Sequence, residues 1–366
     1  MRTIQEKFNT SLFLGELPKG CQLCHVGSKI VLFITGLCER PNYCKWYCPI
    51  SLERRGKDLS YVNEIQINSE SDIIAEAKLM NAEGAAITGG EPLFRYERTI
   101  NYIRLLKTTF GENFHIHLYT NSINLTKLRL QELKSAGLDE IRLHPPLQNL
   151  EKVKWCITNK IDVGIEIPAI PYQYQKVKSL LRFLDKVGAF LNLNEFEITE
   201  SNANYLKMFG FTLKKDTIAA VEGSEFFGLK ILQLARPLKL NVHYCSIGYK
   251  DGIQLKMRYL RRAKNVVRPH EIITDEGLIM KGIIFQKNST LKDLENLMHQ
   301  LIQKFEIDSS LLVLNPEKLR LEISVAPLKQ IGNYLKERNF NSGIVEELPL
   351  TGTNRIQMTF TPLELI

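Results

Sequence analysis

The chain has 366 residues, 44% hydrophobic and 24% charged, with a formal net charge of +8 and a pI near 9.0. That length exceeds one minimal core and suits one large domain plus a smaller one, and no run of about 18 apolar residues occurs, which excludes a transmembrane helix and predicts a soluble, cytoplasmic protein. The basic excess leans toward a polyanionic partner, while seven cysteines in clusters favour metal over a disulfide framework.

Residues 1–29 read as a lead-in ending in Cys21-x-x-Cys24 and His25. Such a pair is half of a metal site; the competing readings are two small buried hydrophobes or a disulfide. Lys29 to Thr35 is an apolar, β-branched run that predicts a buried strand, stopping at Gly36. Cys38, Cys44 and Cys48 follow in one loop. Thiolates that close repel unless a metal or an oxidised bond neutralises them, and such spacing suits Zn²⁺ or an iron–sulfur cluster. Three ligands instead of four would leave one iron of a four-iron cluster open to a small molecule. Lys57 and Asp58 are placed to order the loop that follows.

A helix is predicted over 72–81, capped by Ser71 or Asp72, then a strand from Gly84 ending in Gly89-Gly90-Glu91-Pro92. Next come a helix over 96–109 and a strand Phe114–Tyr119 ending at Thr120-Asn121. His115 and His117 share one side of that strand and read better as structural than as active-site residues. A helix over 126–136 closes at Gly137. Strand Glu140–His144 stops at Pro145-Pro146, and a helix over 149–158 carries Cys156 as a buried hydrophobe. Strand Val163–Pro168, helix 174–187 and strand Glu195–Thr199 follow. Six strand–helix alternations predict parallel strands with right-handed crossovers. The fold class is therefore α/β, a partial (β/α)6 barrel over 30–248 with ligands at the carboxyl edge of the strands.

Glu195, Glu197 and Glu200, near the sixth strand end, are candidates for substrate contact or proton transfer, with solvated carboxylates as the alternative. A helix over 223–237 and a short strand with His243 and Cys245 end the barrel. The connecting segment 249–270 carries Lys256, Arg258, Arg261, Arg262 and Lys264. It reads as a solvated face or a polyphosphate-binding helix, and its single-sign charge tilts toward nucleic acid. Residues 271–366 predict a small C-terminal α+β domain.

Three cysteines after a first strand and Gly-Gly-Glu-Pro after a second resemble the radical S-adenosylmethionine (SAM) superfamily over about residues 30–200. The resemblance implies a [4Fe–4S] cluster on Cys38, Cys44 and Cys48, with SAM on the open iron. It implies reductive cleavage of SAM to a 5′-deoxyadenosyl radical that abstracts hydrogen from a substrate, fed by a donor such as ferredoxin or flavodoxin. It further implies SAM contacts from Gly89, Gly90 and Glu91, from Tyr47 beside the adenine, from Thr120 and Asn121, and more loosely from Glu166. The spacing departs from the family's C-x3-C-x2-C: here it is C-x5-C-x3-C, lengthened by Pro41-Asn42 and Lys45-Trp46.

A narrower similarity, to an uncharacterised group related to pyruvate formate-lyase activating enzymes, is carried by Gly20-Cys-x-Leu-Cys24, Lys29–Phe33, Arg55–Asp58, His115–Thr120, Asn192–Glu195 and His243–Cys245. It puts Cys21, Cys24 and Cys245 in the same site plan, as a second metal site for zinc or another iron–sulfur cluster, with His25 or His243 as a fourth ligand. The leading functional reading is a radical SAM enzyme acting on RNA, in particular tRNA. The second is an activase or modifier of a protein or peptide. The third is a non-enzymatic zinc protein that binds nucleic acid, with Cys21, Cys24 and two of the loop cysteines as a Cys₄ site; it leaves Gly-Gly-Glu-Pro unexplained.

Overall fold

The computed structural model of the protein describes residues 2–7, 11–39, 42–144, 150–353 and 355–365. Pro41, Pro145 and Pro146 lie outside the described residues. Two compact units result: residues 1–78 with 82–254, and residues 79–81 with 255–366. Among the described residues, no helix is long and apolar enough to cross a membrane.

In chain order to Gln254 the elements are β1 (Gln5–Lys7), β2 (Ser11–Leu14), α1 (Lys19–His25), β3 (Lys29–Phe33), β4 (Tyr61–Val62), β5 (Ile65–Gln66), α2 (Glu70–Leu79), β6 (Gly84–Thr88), α3 (Tyr96–Phe110), β7 (His115–Thr120), α4 (Lys127–Ser135), β8 (Glu140–Leu143), α5 (Glu151–Thr158), β9 (Asp162–Ala169), α6 (Tyr174–Val187), β10 (Phe190–Glu195), α7 (Ala203–Met208), α8 (Ser224–Ala235), β11 (Val242–Cys245) and α9 (Ile247–Tyr249). A π-helical stretch, Lys250–Leu255, follows. Among the described residues these strands form one sheet, ordered β1-β2-β11-β10-β9-β8-β7-β6-β3-β4-β5. Neighbours from β3 across to β11 pair in parallel.

The parallel strands are apolar because helices cover them. Ile30, Leu32, Ile87, Ile116, Leu118, Ile141, Leu143, Ile165, Leu191 and Leu193 are fully buried, each side chain stabilising by roughly 1.5–3 kcal/mol. Local signals set the helix ends. Thr126 caps α4, its hydroxyl accepting from the Arg129 amide at 3.2 Å. Gly188 closes α6 at φ +77°, a left-handed conformation that glycine adopts without a Cβ penalty.

Six expected strands are present as β3 and β6–β10. The sixth starts earlier than its sequence suggests, spanning Phe190–Glu195 and not Glu195–Thr199. Its Leu-Asn alternation resembles a loop, yet Leu191 and Leu193 pack into the core while Asn192 and Asn194 bond to Glu166. β11 adds a seventh parallel strand, and β2 pairs with it antiparallel. Residues 1–29 are thus part of the sheet: β2 extends it, and α1 packs against β3, β6 and β7.

The second unit contains α10 (Lys256–Val266), β12 (Ile272–Ile273), β13 (Ile279–Phe285), α11 (Leu291–Phe305), β14 (Leu312–Asn315), β15 (Arg320–Ile323), α12 (Val325–Lys336), β16 (Asn341–Glu347) and β17 (Gln357–Pro362). Its sheet runs β14-β15-β13-β16-β17, with β12 paired to β13. Leu294, Leu297 and Leu301 of α11 recur on one helical face and share a core with Leu328, Ile331, Leu335, Ile284 and Leu321. The division at Gln254 cuts through the basic stretch 249–270, so Lys256–Val266 is a helix of this unit and not a free connector.

Candidate active site

Where the parallel strands end, a cavity of about 320 Å³ opens, and Cys38, Cys44 and Cys48 line it together with Gly89 and Gly90. All three thiols are free. Burial and the neighbouring thiols push Cys38 and Cys44 up to about 12, so these two bare sulfurs keep their protons and a bound cation must displace them. Close backbone packing builds this corner. A Cβ on Gly90 would lie 2.3 Å from the Leu37 carbonyl oxygen and 2.9 Å from Cys38 Sγ. Glycine is therefore needed for the cysteine loop itself to sit against the strand end. Three free thiols converging on one cavity beside exposed backbone is the donor set a cluster with one open iron requires.

Tyr47, Thr120, Asn121, Glu166 and Glu195 line the same cavity. Glu91 does not present its carboxylate there. It is fully buried and accepts from the Leu93 amide at 3.0 Å, the Thr120 hydroxyl at 2.7 Å and the Asn121 amide at 2.7 Å. The expected SAM-ammonium contact is thus replaced by a structural one: Glu91 ties the end of β6 to the end of β7. Burial raises its carboxyl to about 7 despite those donors.

Glu166 lines the cavity with its carboxylate already bonded. Its Oε2 accepts from Arg142 Nη1 at 2.9 Å and Asn192 Nδ2 at 3.0 Å, and its Oε1 from Asn194 Nδ2 at 2.8 Å. Burial opposes its ionisation, but Arg142 and the two amides hold its carboxyl below the usual range. Tyr47 packs edge-on to Trp46 at 4.8 Å, and its hydroxyl meets His144 Nε2 at 2.6 Å. His144 Nδ1 in turn lies 2.7 Å from the Glu166 carbonyl oxygen. His144, Tyr119, Asn194 and Lys250 line the cavity without having been singled out in the sequence. The available signal was position: each lies at or just beyond a strand's carboxyl end.

Glu195 remains at the site, nearly buried, accepting from the Ile247 amide at 2.8 Å, and Glu197 lines the cavity. Glu200 does not: it is exposed in a turn beyond the strand. This follows from the earlier placement of β10, which moves the strand end back to Glu195. His115 and His117 are buried, with His117 Nε2 3.4 Å from Lys29 Nζ, away from the cavity lining. Asp58 accepts from the Thr35 hydroxyl at 2.9 Å, just beyond the end of β3, and from Arg95 and Arg98 at 2.8 Å each.

Cys21, Cys24 and Cys245, remote in sequence, line a second, smaller cavity of about 150 Å³. Neither histidine offered as their fourth ligand is free. His25 Nδ1 bonds the Tyr249 hydroxyl. His243 Nε2 is 2.7 Å from the Ser11 hydroxyl, and its Nδ1 is 3.6 Å from Cys21 Sγ. Cys156 is a buried, isolated thiol of α5, as expected.

Residues 18–162 match the radical SAM superfamily. A Methanocaldococcus jannaschii protein bearing the provisional name of a glycyl-radical enzyme activating enzyme is 40% identical over 315 residues, covering 82% of this chain and 82% of the relative. A PqqA peptide cyclase of Bradyrhizobium diazoefficiens is 25% identical over 204 residues, 50% of this chain and 48% of the relative. Among solved structures, a radical S-adenosylmethionine methyltransferase of Kitasatospora setae, with cobalamin and a [4Fe–4S] cluster bound, is similar over 64% of this chain and 52% of its own, at TM-score 0.34 and 11% identity.

Proposed function

Because the chain belongs to the radical SAM superfamily, we propose that it activates or modifies a protein or peptide and not an RNA. The observation that carries this reading is a set of exposed apolar side chains on the segments that follow two strands of the site. Tyr172, Met208, Phe209 and Ile218, on segments following β9 and β10, are 95%, 80%, 61% and 94% exposed. The Phe209 ring is 5.0 Å from Trp46, whose neighbour Tyr47 lines the cavity. Large apolar side chains left in water, one of them packed on the aromatic residue next to Tyr47, suit a protein surface, not a phosphate backbone. Both relatives, one named as a glycyl-radical enzyme activating enzyme and the other as a peptide cyclase, point the same way.

The basic run behind the RNA reading is largely absorbed by the fold. Arg262 is 2% exposed. Arg261 donates to the Met80 carbonyl at 3.0 Å and the Asn81 carbonyl at 2.6 Å, and Lys256 lies 3.3 Å from Glu276. Arg258 and Lys264 belong to the same helix. The zinc-protein reading falls with membership of the superfamily.

In this proposal Cys38, Cys44 and Cys48 hold the [4Fe–4S] cluster, and the Gly89-Gly90 backbone, Tyr47, Thr120 and Asn121 surround SAM. When bound, cluster and SAM supply reductive SAM cleavage and hydrogen abstraction, the electron coming from a ferredoxin- or flavodoxin-type donor. The chain contributes orientation and exclusion of water, with Glu195 placed to hold or move a proton. Reconstituted anaerobic enzyme with SAM and a reductant should release more 5′-deoxyadenosine when protein from a related source is added. Stimulation by RNA and not by protein would overturn the reading.

A further inference from the structure

The smaller cavity has the features of a built metal site. α1 delivers Cys21 and Cys24, and β11 delivers Cys245 at its end, in register with Ser11 of β2. Cys21 and Cys245 are only 7% and 6% exposed. The start of α1 is pinned, because the Gly20 amide donates to Glu140 Oε2 at 3.0 Å and Glu140 Oε1 accepts from Arg142 Nε at 2.6 Å. Donors converge on the sulfurs: Arg142 Nη2 lies 3.3 Å and Asn192 Nδ2 3.5 Å from Cys21 Sγ, and Gln254 Nε2 lies 3.8 Å from Cys245 Sγ. Hydrogen bonds to sulfur of this kind stabilise metal thiolates. The Asn192 Oδ1, buried and without a partner, marks a polar interior.

Charge and size narrow the occupant. Lys29, Arg142 and Lys250 line the cavity, and the carboxylates bonded to Arg142 are those of Glu140 and Glu166. Three cations against two carboxylates leave one positive charge, which three thiolates around a centre of charge +2, a zinc ion or a [4Fe–4S] core alike, would cancel. The volume of about 150 Å³ is several times the ~30 Å³ share of one water, more than a single ion occupies. Tetrahedral zinc, with Zn–S near 2.3 Å, would draw its sulfurs to about 3.8 Å from one another. Among the described residues, only His270, Glu271 and Glu322 bring three such ligand atoms within 4.8 Å. Neither Cys21, Cys24 and Cys245 nor Cys38, Cys44 and Cys48 form such a tight group, so the two trios are alike in spacing. His25 bonds the Tyr249 hydroxyl, whereas His243 lines the cavity with its Nε2 on the Ser11 hydroxyl and its Nδ1 3.6 Å from Cys21 Sγ, where it meets a sulfur and leaves the three thiolates as the ligands.

We propose that Cys21, Cys24 and Cys245 bind a second iron–sulfur cluster with one iron free of protein ligand. Tyr119, Glu166, Asn194 and Lys250 line both cavities, so the second cluster is separated from the first site by a single layer of side chains. Such an iron would take a small-molecule ligand, or pass electrons to and from a cluster held by Cys38, Cys44 and Cys48. The proposal rests on the thiols alone and is independent of the substrate reading.

Iron and acid-labile sulfide analysis after anaerobic reconstitution tests it. Wild-type protein should hold about eight irons per chain, and a variant with Cys38, Cys44 and Cys48 changed to alanine about four, with matching sulfide. Changing Cys21, Cys24 and Cys245 to serine should return the wild type's eight to about four while the SAM-responsive paramagnetic signal persists. One zinc and no iron in the Cys38/Cys44/Cys48→Ala protein overturns the proposal, as does neither metal in that protein when its circular dichroism is native. Should either variant not fold, the wild-type count decides: about four irons, and no more, also overturns it.

Discussion

At Glu91, three donors and complete burial pull in opposite directions, and burial wins. Its carboxyl, near 4.5 when unfolded, rises to about 7 in the fold. Between those values the folded chain keeps a proton that the unfolded chain has lost, so this group's contribution falls as pH rises from about 4.5 to about 7. Glu91→Gln should flatten that slope in thermal melts of apo-protein. It should also cost about 1–3 kcal/mol, since its amide must face the Asn121 N–H. A wild-type slope in the variant would exclude Glu91 as the titrating group. Gly90 presents a steric constraint instead. A methyl there meets the Leu37 carbonyl and Cys38 Sγ, so Gly90→Ala should displace the cysteine loop. The reduced protein should then lose most of its SAM-responsive paramagnetic signal at unchanged far-ultraviolet circular dichroism. An unaltered signal would show that the loop yields without consequence.

Among the elements, α10 and β10 show how sequence pattern and tertiary role diverge. α10 reads as a basic surface helix, yet Arg261 holds the carbonyls of Met80 and Asn81 within the second unit. Arg261→Glu sets a carboxylate against those carbonyls and should destabilise the unit by about 1–3 kcal/mol, seen as a lower urea midpoint. An unchanged midpoint together with loss of a salt-sensitive RNA complex would restore the nucleic-acid reading. β10 carries its polar residues inward. Asn192 and Asn194 look like turn residues until β9 supplies Glu166 opposite them. A buried amide is tolerated only where a partner waits, and that partner lies some 26 residues earlier in the chain.

On the scale of the whole molecule, the second unit has an ionic core of its own. Lys281 Nζ lies 3.2 Å from Glu271, 2.6 Å from Glu322 and 2.9 Å from Glu347, all nearly inaccessible. Arg320 bonds Glu322 and Glu347 at 2.6 Å each, and Arg355 bonds Glu271 at 2.6 Å. His270, Glu271 and Glu322 meet closely enough for a metal, but the Lys281 ammonium already occupies both carboxylates. Burial opposes ionisation of Glu322 and Glu347, yet these cations hold both carboxyls below the usual range. Depressed carboxyls add stability above about pH 4.5 that is lost as pH falls below it. Hydrogen exchange in β13 and β15 should therefore accelerate in acid before exchange in the first unit's β3 and β7 does. Lys281→Met, leaving three carboxylates short of a cation, should cost about 3–5 kcal/mol. Equal protection of both units at low pH would contradict this account.

Short-range pattern determined most of the elements, the three-cysteine loop and the Cys21–Cys24 pair. The β-branched runs of β3 and β6, the helical spacing of α3 and α6, and the loop of Cys38, Cys44 and Cys48 are each written in neighbouring residues, because backbone periodicity and ligand spacing are local properties. Only the tertiary structure decided where each polar side chain is directed. It turned Glu91 inward, left Glu200 in water, buried Arg262, joined β2 to β11, and brought Cys245 to Cys21 and Cys24. Those outcomes depend on which strands lie side by side and in what register, and register is fixed by the packing of residues far apart in the chain.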